Sequence, residues 1–304
     1  SISLIEEYDV GEIHELDENI SIRYTYSGHI FGAVQCELFI KIKNHCTKLL
    51  FTSDLGNTKI QDLKPFVQEF EPVKSANYVF GETTYGARNN KQITQKIINK
   101  DLEKIKSVIQ QFCGDYKRRV LMPVFSLDKC PVVLWLIYQM FKDDKNFTTK
   151  VLVDSPLTNR LLDRYSEVLE CEAKEKFDEM LAWKNLKRIV TPEDSRYAME
   201  NMKNILILSS GGMLQSGRSV RWAKELLPHS NDCLILSGYC GENTLGYKIK
   251  NFNDQKTISI NGAQVKNKAQ IVNVRSLSGH MQRDELLKYY SSCLLYTSDA
   301  ADEL

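Results

Sequence analysis

The pattern of hydrophobic and polar positions divides the chain into two regions. Apolar and polar residues alternate over 20–26 and 36–42, and short apolar runs follow at 48–52 and 77–80. Alternation with a period of two predicts strands that are buried on one side only. The first part of the chain is therefore predicted to be rich in strands and to contain little helix.

From about residue 93 the spacing changes to a helical one. Apolar residues recur every three or four positions from Ile93 to Phe112, and Gly114 follows as a predicted C-terminal cap. Short apolar strands then alternate with helical patterns. The strands are predicted at 120–125, 151–153, 205–208 and 233–236, and the helices at 130–141, 157–183 and 218–227. This alternation is typical of a parallel sheet covered by helices, so the fold class is α/β with a Rossmann-like region.

Composition and charge narrow the class of protein. The 304 residues are 42% hydrophobic and 26% charged, which excludes a disordered chain and leaves room for one large or two modest domains. A net charge of +1 argues against binding nucleic acid by bulk electrostatics, but a local groove stays open. The eight cysteines form no C-x-x-C motif and favour a reducing, cytoplasmic location. We find no signal-peptide pattern and no apolar run long enough to span a membrane.

Serine and glycine follow the predicted parallel strands at four places. These segments are Phe125-Ser126, Asp154–Leu157, Ser209–Leu214 and Ser237–Tyr239. Ligands of open parallel sheets bind outside the carboxyl ends of the strands, where hydroxyls and glycine N–H groups can hold an anion. Any one segment is explained equally well as a tight turn. Their recurrence at one edge favours an edge that contacts phosphate.

Four further residues are candidates for chemistry. Asp54 ends a predicted strand, where a fixed carboxylate suits a metal ion, although an aspartate in such a turn is common without one. His29 and His280 lie beside glycines, and Glu82 follows Gly81. A carboxylate near a histidine orients the ring and raises its pKa. Each of the four taken alone is more often structural. The P-loop, dinucleotide-binding and hydrolase-elbow motifs are absent.

Eight segments, in this order, resemble the β-CASP branch of the metallo-β-lactamase fold, which holds RNA-processing nucleases such as RNase J. They are 27–33, 51–56, 81–86, 122–127, 153–157, 209–218, 237–246 and 278–280, and the resemblance extends from about residue 20 to 292. It implies a partial metallo-β-lactamase (αββα) domain at 1–86, an inserted β-CASP domain at 87–276, and a return into the first domain at 277–292.

The resemblance also implies an activity. His29 would be a metal ligand and Asp54 the carboxylate that bridges two zinc ions, while Glu82 would pair with His280, which donates a proton to the leaving oxygen. A metal-activated hydroxide would hydrolyse the phosphodiesters of single-stranded RNA. The implied contacts to RNA phosphates are Ser126, Ser155, Ser209, Ser210, Gly211, Gly212, Tyr239 and Thr244.

Several departures from the family pattern limit this expectation. The H-x-H-x-D-H stretch is absent, no histidine follows His280, and Asp128-Lys129 stand where many relatives have Gly-Arg. Residues 293–304 resemble a translated sequencing adapter rather than native protein. We therefore expect a piece that is truncated at both ends, whose zinc site is incomplete and which is inactive by itself.

Two other functions stay open. One is a non-catalytic member of the family that binds RNA or acts as a scaffold, and the other is a hydrolase of a small phosphorylated metabolite. The presence of His29, Asp54, Glu82 and His280 together favours a nuclease, and a complete β-CASP region favours a polymeric substrate. The sequence leaves open endonuclease or exonuclease action, the RNA target, DNA cleavage and the oligomeric state, a homo-oligomer included.

Overall fold

The computed structural model describes residues 6–87, 93–114, 118–251 and 255–293. The chain divides into two compact units, one made of residues 1–93 with 279–304 and the other of residues 94–278. These divisions lie near the boundaries predicted at 86/87 and 276/277. Apart from Cys293, the expected adapter segment lies outside the described residues.

The first unit is built on a five-stranded sheet. Its strands are β1 (Ile13–Glu15), β2 (Ile20–Tyr26), β3 (Val34–Ile42), β4 (His45–Phe51) and β5 (Tyr78–Phe80), hydrogen-bonded in that order. Neighbouring strands are antiparallel except β4 and β5, which are parallel. The carboxyl ends of β4 and β5 therefore lie side by side, and the residues after them share one edge.

Helix α8 (Arg283–Cys293) supplies the other half of the first unit's core. Leu50 of β4 and Leu55 beyond it are fully buried and cluster with Met281, Leu286 and Tyr289. Burial of such side chains stabilises the unit by about 1.5–3 kcal/mol each. Packing of α8 therefore holds the segment before it against the turn that follows β4.

The second unit is a six-stranded sheet with helices. Its strands are β6 (Arg119–Val124), β7 (Lys150–Asp154), β8 (Leu186–Ile189), β9 (Ile205–Ser210), β10 (Cys233–Leu236) and β13 (Gln270–Asn273). They are hydrogen-bonded in the order β13-β10-β6-β9-β7-β8, and every pair is parallel. A separate hairpin consists of β11 (Thr257–Ile260) and β12 (Ala263–Lys266).

The helices of the second unit connect these strands. They are α1 (Gln95–Phe112), α2 (Lys129–Phe141), α3 (Pro156–Val168), α4 (Cys171–Leu181), α5 (Pro192–Asn201), α6 (Arg218–Leu226) and α7 (Leu245–Asn251). Every residue of β6 is buried, as expected for a strand in the middle of a covered parallel sheet. In the described ranges no helix combines the length and apolarity that crossing a membrane requires.

Most predicted elements are present, with shifts of a few residues at their ends. The pattern analysis missed β1, β8, α5, α7, the β11–β12 hairpin and β13. These elements are short or polar: α5 reads PEDSRYAMEN and buries only Ser195 and Ala198. Their conformation depends on the sheet that they pack against, because so short a helix is marginal in isolation.

Candidate metal centre and phosphate edge

The four predicted catalytic and metal-binding side chains lie together in the first unit. His29 lies in the loop between β2 and β3, Asp54 follows β4, Glu82 follows β5, and His280 precedes α8. Because β4 and β5 are parallel neighbours, Asp54 and Glu82 emerge at the same sheet edge. The structure thus brings together residues that are as much as 251 positions apart in the chain.

Backbone hydrogen bonds bring His280 to this edge. The Met281 N–H donates to the Leu55 carbonyl at 2.8 Å, and the Asn57 N–H donates to the Gly279 carbonyl at 2.8 Å. Gly56 permits the loop that carries His29 to approach as well, since a Cβ there would lie 2.0 Å from the Gly28 oxygen. A side chain at position 56 would therefore force this loop away from the edge.

Three of these side chains form a group that can hold a metal ion. The ligand atoms of His29, Asp54 and His280 all lie within 4.8 Å of one another, and His29 Nε2 is 3.8 Å from Asp54 Oδ2. His29 Nδ1 lies 3.3 Å from the Gly279 carbonyl. A carbonyl only accepts, so this contact places the proton on Nδ1 and leaves the Nε2 lone pair for a ligand. Imidazole nitrogens and a carboxylate oxygen are the donors that zinc takes, so the group fits this metal.

Glu82 orients His280 through a short contact. His280 Nδ1 lies 3.2 Å from Glu82 Oε2, and the Leu55 N–H donates to the same carboxylate at 2.5 Å. Burial acts to raise the pKa of Glu82, but the hydrogen bonds from His280, Leu55 and Thr84 outweigh it and hold the pKa below its usual range. Ionised Glu82 therefore accepts a hydrogen bond from Nδ1 of His280 and fixes the orientation of that ring.

His29 is held in the form that a metal ligand requires. Burial lowers the pKa of His29, and the nearby His280 lowers it further, against smaller opposing effects of Asp54 and the Gly279 carbonyl. The ring centroids of the two histidines are 4.4 Å apart. Close packing of two imidazoles favours the neutral ring, and neutral imidazole is the metal-binding form.

Two residues of this centre were missed by the sequence analysis. Lys64 is buried, and its Nζ donates to the Gly28 carbonyl at 2.8 Å and the His29 carbonyl at 3.3 Å. The Tyr290 hydroxyl donates to the Glu82 carbonyl at 2.7 Å. A single lysine in a polar stretch gives no sequence signal. Tyr290 lies on the partly buried side of α8, and its position in the sequence indicates packing rather than a role in the centre.

The predicted phosphate-binding residues separate into two groups in the second unit. Ser126, Ser210 and Gly211 are partly exposed and Tyr239 is exposed. All four lie at the carboxyl ends of β6, β9 and β10, which are neighbours in the sheet. Their hydroxyls and backbone groups can reach an anion in solution.

The other four predicted residues, Ser155, Ser209, Gly212 and Thr244, are all buried. The Ser209 hydroxyl donates to the Asp154 carbonyl at 3.0 Å, and the Thr244 hydroxyl donates to the Gly241 carbonyl at 2.7 Å. The Ser155 hydroxyl caps α3 by accepting from the Thr158 N–H at 3.2 Å, and Gly212 packs against Phe125. The three hydroxyls therefore make hydrogen bonds within the turns that follow the strands.

Comparison with known proteins identifies a matching domain family and several similar proteins. The Beta-Casp domain family matches residues 132–249. Transcription termination factor FttA of Methanocaldococcus jannaschii is 24% identical over 290 residues, which is 92% of this chain and 44% of that protein. Ribonuclease TTHA0252 of Thermus thermophilus is 24% identical over 276 residues, 89% of this chain and 60% of that protein. Integrator complex subunit 11 of Gallus gallus is 22% identical over 271 residues, 88% of this chain and 42% of that protein.

The chain resembles the β-CASP branch of the metallo-β-lactamase fold over most of its length, and its residues 132–249 match the Beta-Casp domain. The resemblance stated from the eight motifs is thereby confirmed, and so is the α/β fold class with its inserted parallel sheet. The Beta-Casp match runs from α2 to α7, which are elements of the second unit. The chain spans about half the length of the curated relatives that it matches, at 44%, 60% and 42% for the three named.

Proposed function

We propose that this β-CASP chain carries part of the active centre of a zinc-dependent RNA nuclease. The observation that carries the proposal is the convergence of His29, Asp54 and His280 within 4.8 Å, with Glu82 hydrogen-bonded to His280. A scaffold has no physical need for this set. The similar proteins support the proposal, since they include a ribonuclease and a transcription termination factor.

His29 and Asp54 are the proposed metal ligands. Nε2 of His29 and the carboxylate of Asp54 would hold the metal, with His29 oriented by the Gly279 carbonyl. When bound, zinc supplies an acidified water near neutral pH and charge stabilisation for the phosphate oxygens. The high exposure of the Asp54 side chain, 58%, leaves its oxygens accessible to metal and solvent.

Glu82 and His280 form the proposed proton-transfer pair. Ionised Glu82 accepts from Nδ1 of His280 and orients the ring beside the ligand group. A protonated His280 donates its Nε2 proton to the leaving oxygen as the P–O bond breaks, so the leaving group departs as a hydroxyl. A ring nitrogen of His280 also counts within the metal-binding group, so proton donor and metal ligand are alternative roles of this ring.

The RNA is proposed to be held through its backbone by Ser126, Ser210 and Gly211. Contacts to phosphate and sugar carry no sequence information, so we expect little base preference from them. The protein is proposed to act in a reducing cytoplasm, in keeping with eight free cysteines, five of them buried, in the described residues.

The ligand set within the 304 residues is incomplete for two zinc ions, because no H-x-H-x-D-H stretch is present. A structural zinc site takes four protein ligands, and a catalytic one takes about three plus water. We therefore propose that the 304-residue chain tested alone binds zinc weakly and cleaves RNA negligibly.

Isothermal titration of the 304-residue chain with zinc tests the centre. We expect one weak zinc equivalent that H29A or D54A abolishes and that H45A leaves intact, because His45 is an exposed histidine of the same unit. Two tightly bound zinc ions per chain would contradict the incomplete site. Zinc binding that is insensitive to both H29A and D54A would overturn the proposed centre.

Competition for single-stranded RNA tests the substrate class. Unlabelled RNA should displace a labelled oligonucleotide from the chain, whereas a small phosphodiester at the same phosphate concentration should not. Equal displacement by both would favour a hydrolase of small phosphorylated metabolites. RNA binding without RNA cleavage by a protein that contains this chain together with a complete zinc-ligand set would favour a non-catalytic, RNA-binding member of the family.

A further inference from the structure

Two large aromatic side chains are exposed just beyond the carboxyl ends of two buried strands. Phe125 follows β6 and is 46% exposed, and Tyr239 follows β10 after two residues and is 50% exposed. Strands β6 and β10 are hydrogen-bonded neighbours, so both rings emerge at the same edge of the parallel sheet. Neither the fold nor the proposed phosphate contacts require aromatic rings in contact with water at this edge.

The ring of Phe125 is seated on a glycine. A Cβ built on Gly212 would lie 3.0 Å from both Cδ2 and Cε2 of Phe125. The Phe125 ring therefore packs against the Gly212 backbone and has no room for a side chain there. Ordering a ring in advance lowers the entropy cost of placing a ligand against its exposed part.

Groups that are able to hold an anion follow the same sheet edge as the two rings. Ser126 is the next residue after Phe125, and Ser210 is the register partner of Val124 in the β6–β9 pair. Gly211 has a φ of +101°, a backbone conformation that glycine adopts readily. The same edge thus presents aromatic surface and anion-binding groups within a few residues of each other, which is the combination that a single-stranded nucleic acid requires.

We propose that Phe125 and Tyr239 form a base-stacking site for single-stranded RNA on the second unit. The choice of RNA as the ligand rests on the proposed function. Unstacked bases stack on aromatic side chains whatever their sequence. A net charge of +1 for the whole chain supplies little general attraction for a polyanion, so stacking contributes affinity that charge does not.

The resemblance implied that Tyr239 contacts phosphate, whereas the exposed ring of Tyr239 is here proposed to stack on a base. Phe125 is a further residue of the RNA site that the resemblance did not imply. In this arrangement backbone groups at the sheet edge contact the phosphates of the RNA, and the two rings contact its bases.

Fluorescence anisotropy with a labelled single-stranded RNA tests the stacking site. F125A and Y239A in the 304-residue chain should each weaken binding by about 5- to 150-fold, the factor that one base stacked on one ring contributes. F125W should retain binding. Y197A is the matched control, because Tyr197 on α5 is 61% exposed, and it should bind like the unchanged chain.

F125L provides a check on folding, since it keeps apolar packing on Gly212 but removes the aromatic face. It should melt like the unchanged chain and still bind RNA weakly. An RNA with abasic positions should bind the unchanged chain and F125A alike. A further check is photocrosslinking of 4-thiouridine RNA, which should label Phe125 or Tyr239.

The outcomes separate this proposal from the nuclease proposal. RNA affinity unchanged in F125A, F125L and Y239A would overturn the stacking site and leave the metal centre untouched. If zinc binding does not depend on His29 or Asp54 while RNA binding still depends on both rings, the nuclease proposal is overturned and the stacking site stands. If the unchanged chain binds no single-stranded RNA, the stacking site is overturned, and the zinc titration still decides the metal centre by itself.

Discussion

Individual buried charges in the first unit are each matched by specific partners. The Lys64 ammonium donates to two loop carbonyls, and Glu37 receives Arg23 at 2.7 Å and Lys48 at 2.6 Å. An uncompensated buried charge costs several kcal/mol or more, so such residues persist only where the fold supplies partners. Lys64 holds the loop of the candidate centre, whereas Glu37 ties strands together away from it.

Replacement of Lys64 by methionine tests the support of the His29 loop. We expect K64M to lower the free energy of unfolding by about 1–3 kcal/mol, because the Gly28 and His29 carbonyls lose their buried donor. Urea denaturation measures this loss. K74M, at an exposed lysine of the same unit, should change stability by less than about 0.5 kcal/mol. Equal losses in the two variants would show that the buried contacts contribute nothing.

The pH dependence of stability should report Glu37. Burial acts to raise the pKa of Glu37, but the hydrogen bonds and charges of Arg23 and Lys48 outweigh it and lower the pKa below the unfolded value. A carboxylate with a lowered folded pKa adds stability that is complete above about pH 4.5 and is lost as the pH falls through the folded pKa. Between pH 5 and pH 3 the unchanged chain should therefore lose more stability than E37Q. Parallel pH profiles in urea denaturation would rule out this contribution.

At the scale of elements, a buried carboxylate joins β7 to two helices. Asp154 accepts from Arg218 Nη1 and the Ser195 hydroxyl, each at 2.6 Å, and from Trp222 Nε1 at 2.7 Å. Arg218 and Trp222 belong to α6, and Ser195 belongs to α5. The network fixes where α6 begins, and α6 follows the Gly-rich turn after β9. The partly exposed edge groups Ser210 and Gly211 therefore depend on it indirectly.

The substitution D154N tests this connection between elements. It leaves the Arg218 guanidinium, 12% exposed, without its charge partner, so we expect a loss of about 3–5 kcal/mol in the free energy of unfolding. The matched control is D163N. Asp163 and Arg188 form a more exposed pair at 2.7 Å, and its loss should cost about 1 kcal/mol or less. Comparable losses of stability in D154N and D163N would contradict the expectation that the more buried ion pair contributes more to stability.

Helices and strands were predictable from the sequence where the local pattern of apolar residues determines their conformation. The β10 strand was placed correctly at 233–236 because four consecutive apolar residues between turns favour a buried strand. The β8 strand reads LKRI and was missed, since its two basic residues hide the pattern. It is a strand because it completes the edge of the sheet beside β7. Sheet pairing supplied what the local sequence did not indicate.

For the whole molecule, the cysteines differ in burial, and both units contain buried and accessible ones. Cys113, Cys130, Cys233, Cys240 and Cys293 are buried, Cys36 is intermediate, and Cys46 and Cys171 are exposed. Burial raises the pKa of Cys113 to about 12, so its thiolate is scarce near neutral pH. Thiolates are the reactive form, and the exposed cysteines therefore react first.

Thiol titration of the native chain should separate these classes. Two thiols, those of Cys46 and Cys171, should react quickly with an aromatic disulfide reagent, and the five buried ones only on unfolding. C46S/C171S should remove the fast phase and leave the slow one unchanged. Rapid reaction of five or more thiols before denaturant is added would contradict the burial pattern of one or both units.

The sequence by itself determined the α/β class, the positions of the main strands along the chain and the resemblance to the β-CASP branch, because hydrophobic periodicity and short motifs are local properties. It also named His29, Asp54, Glu82 and His280 as candidates. Only the tertiary structure decided that their side chains meet, through the parallel pairing of β4 with β5 and the hydrogen bonds between 279–281 and 55–57. It also decided that Ser209 and Thr244 face inward and Phe125 outward. Exposure depends on what packs against a residue from distant parts of the chain, and no local pattern carries that information.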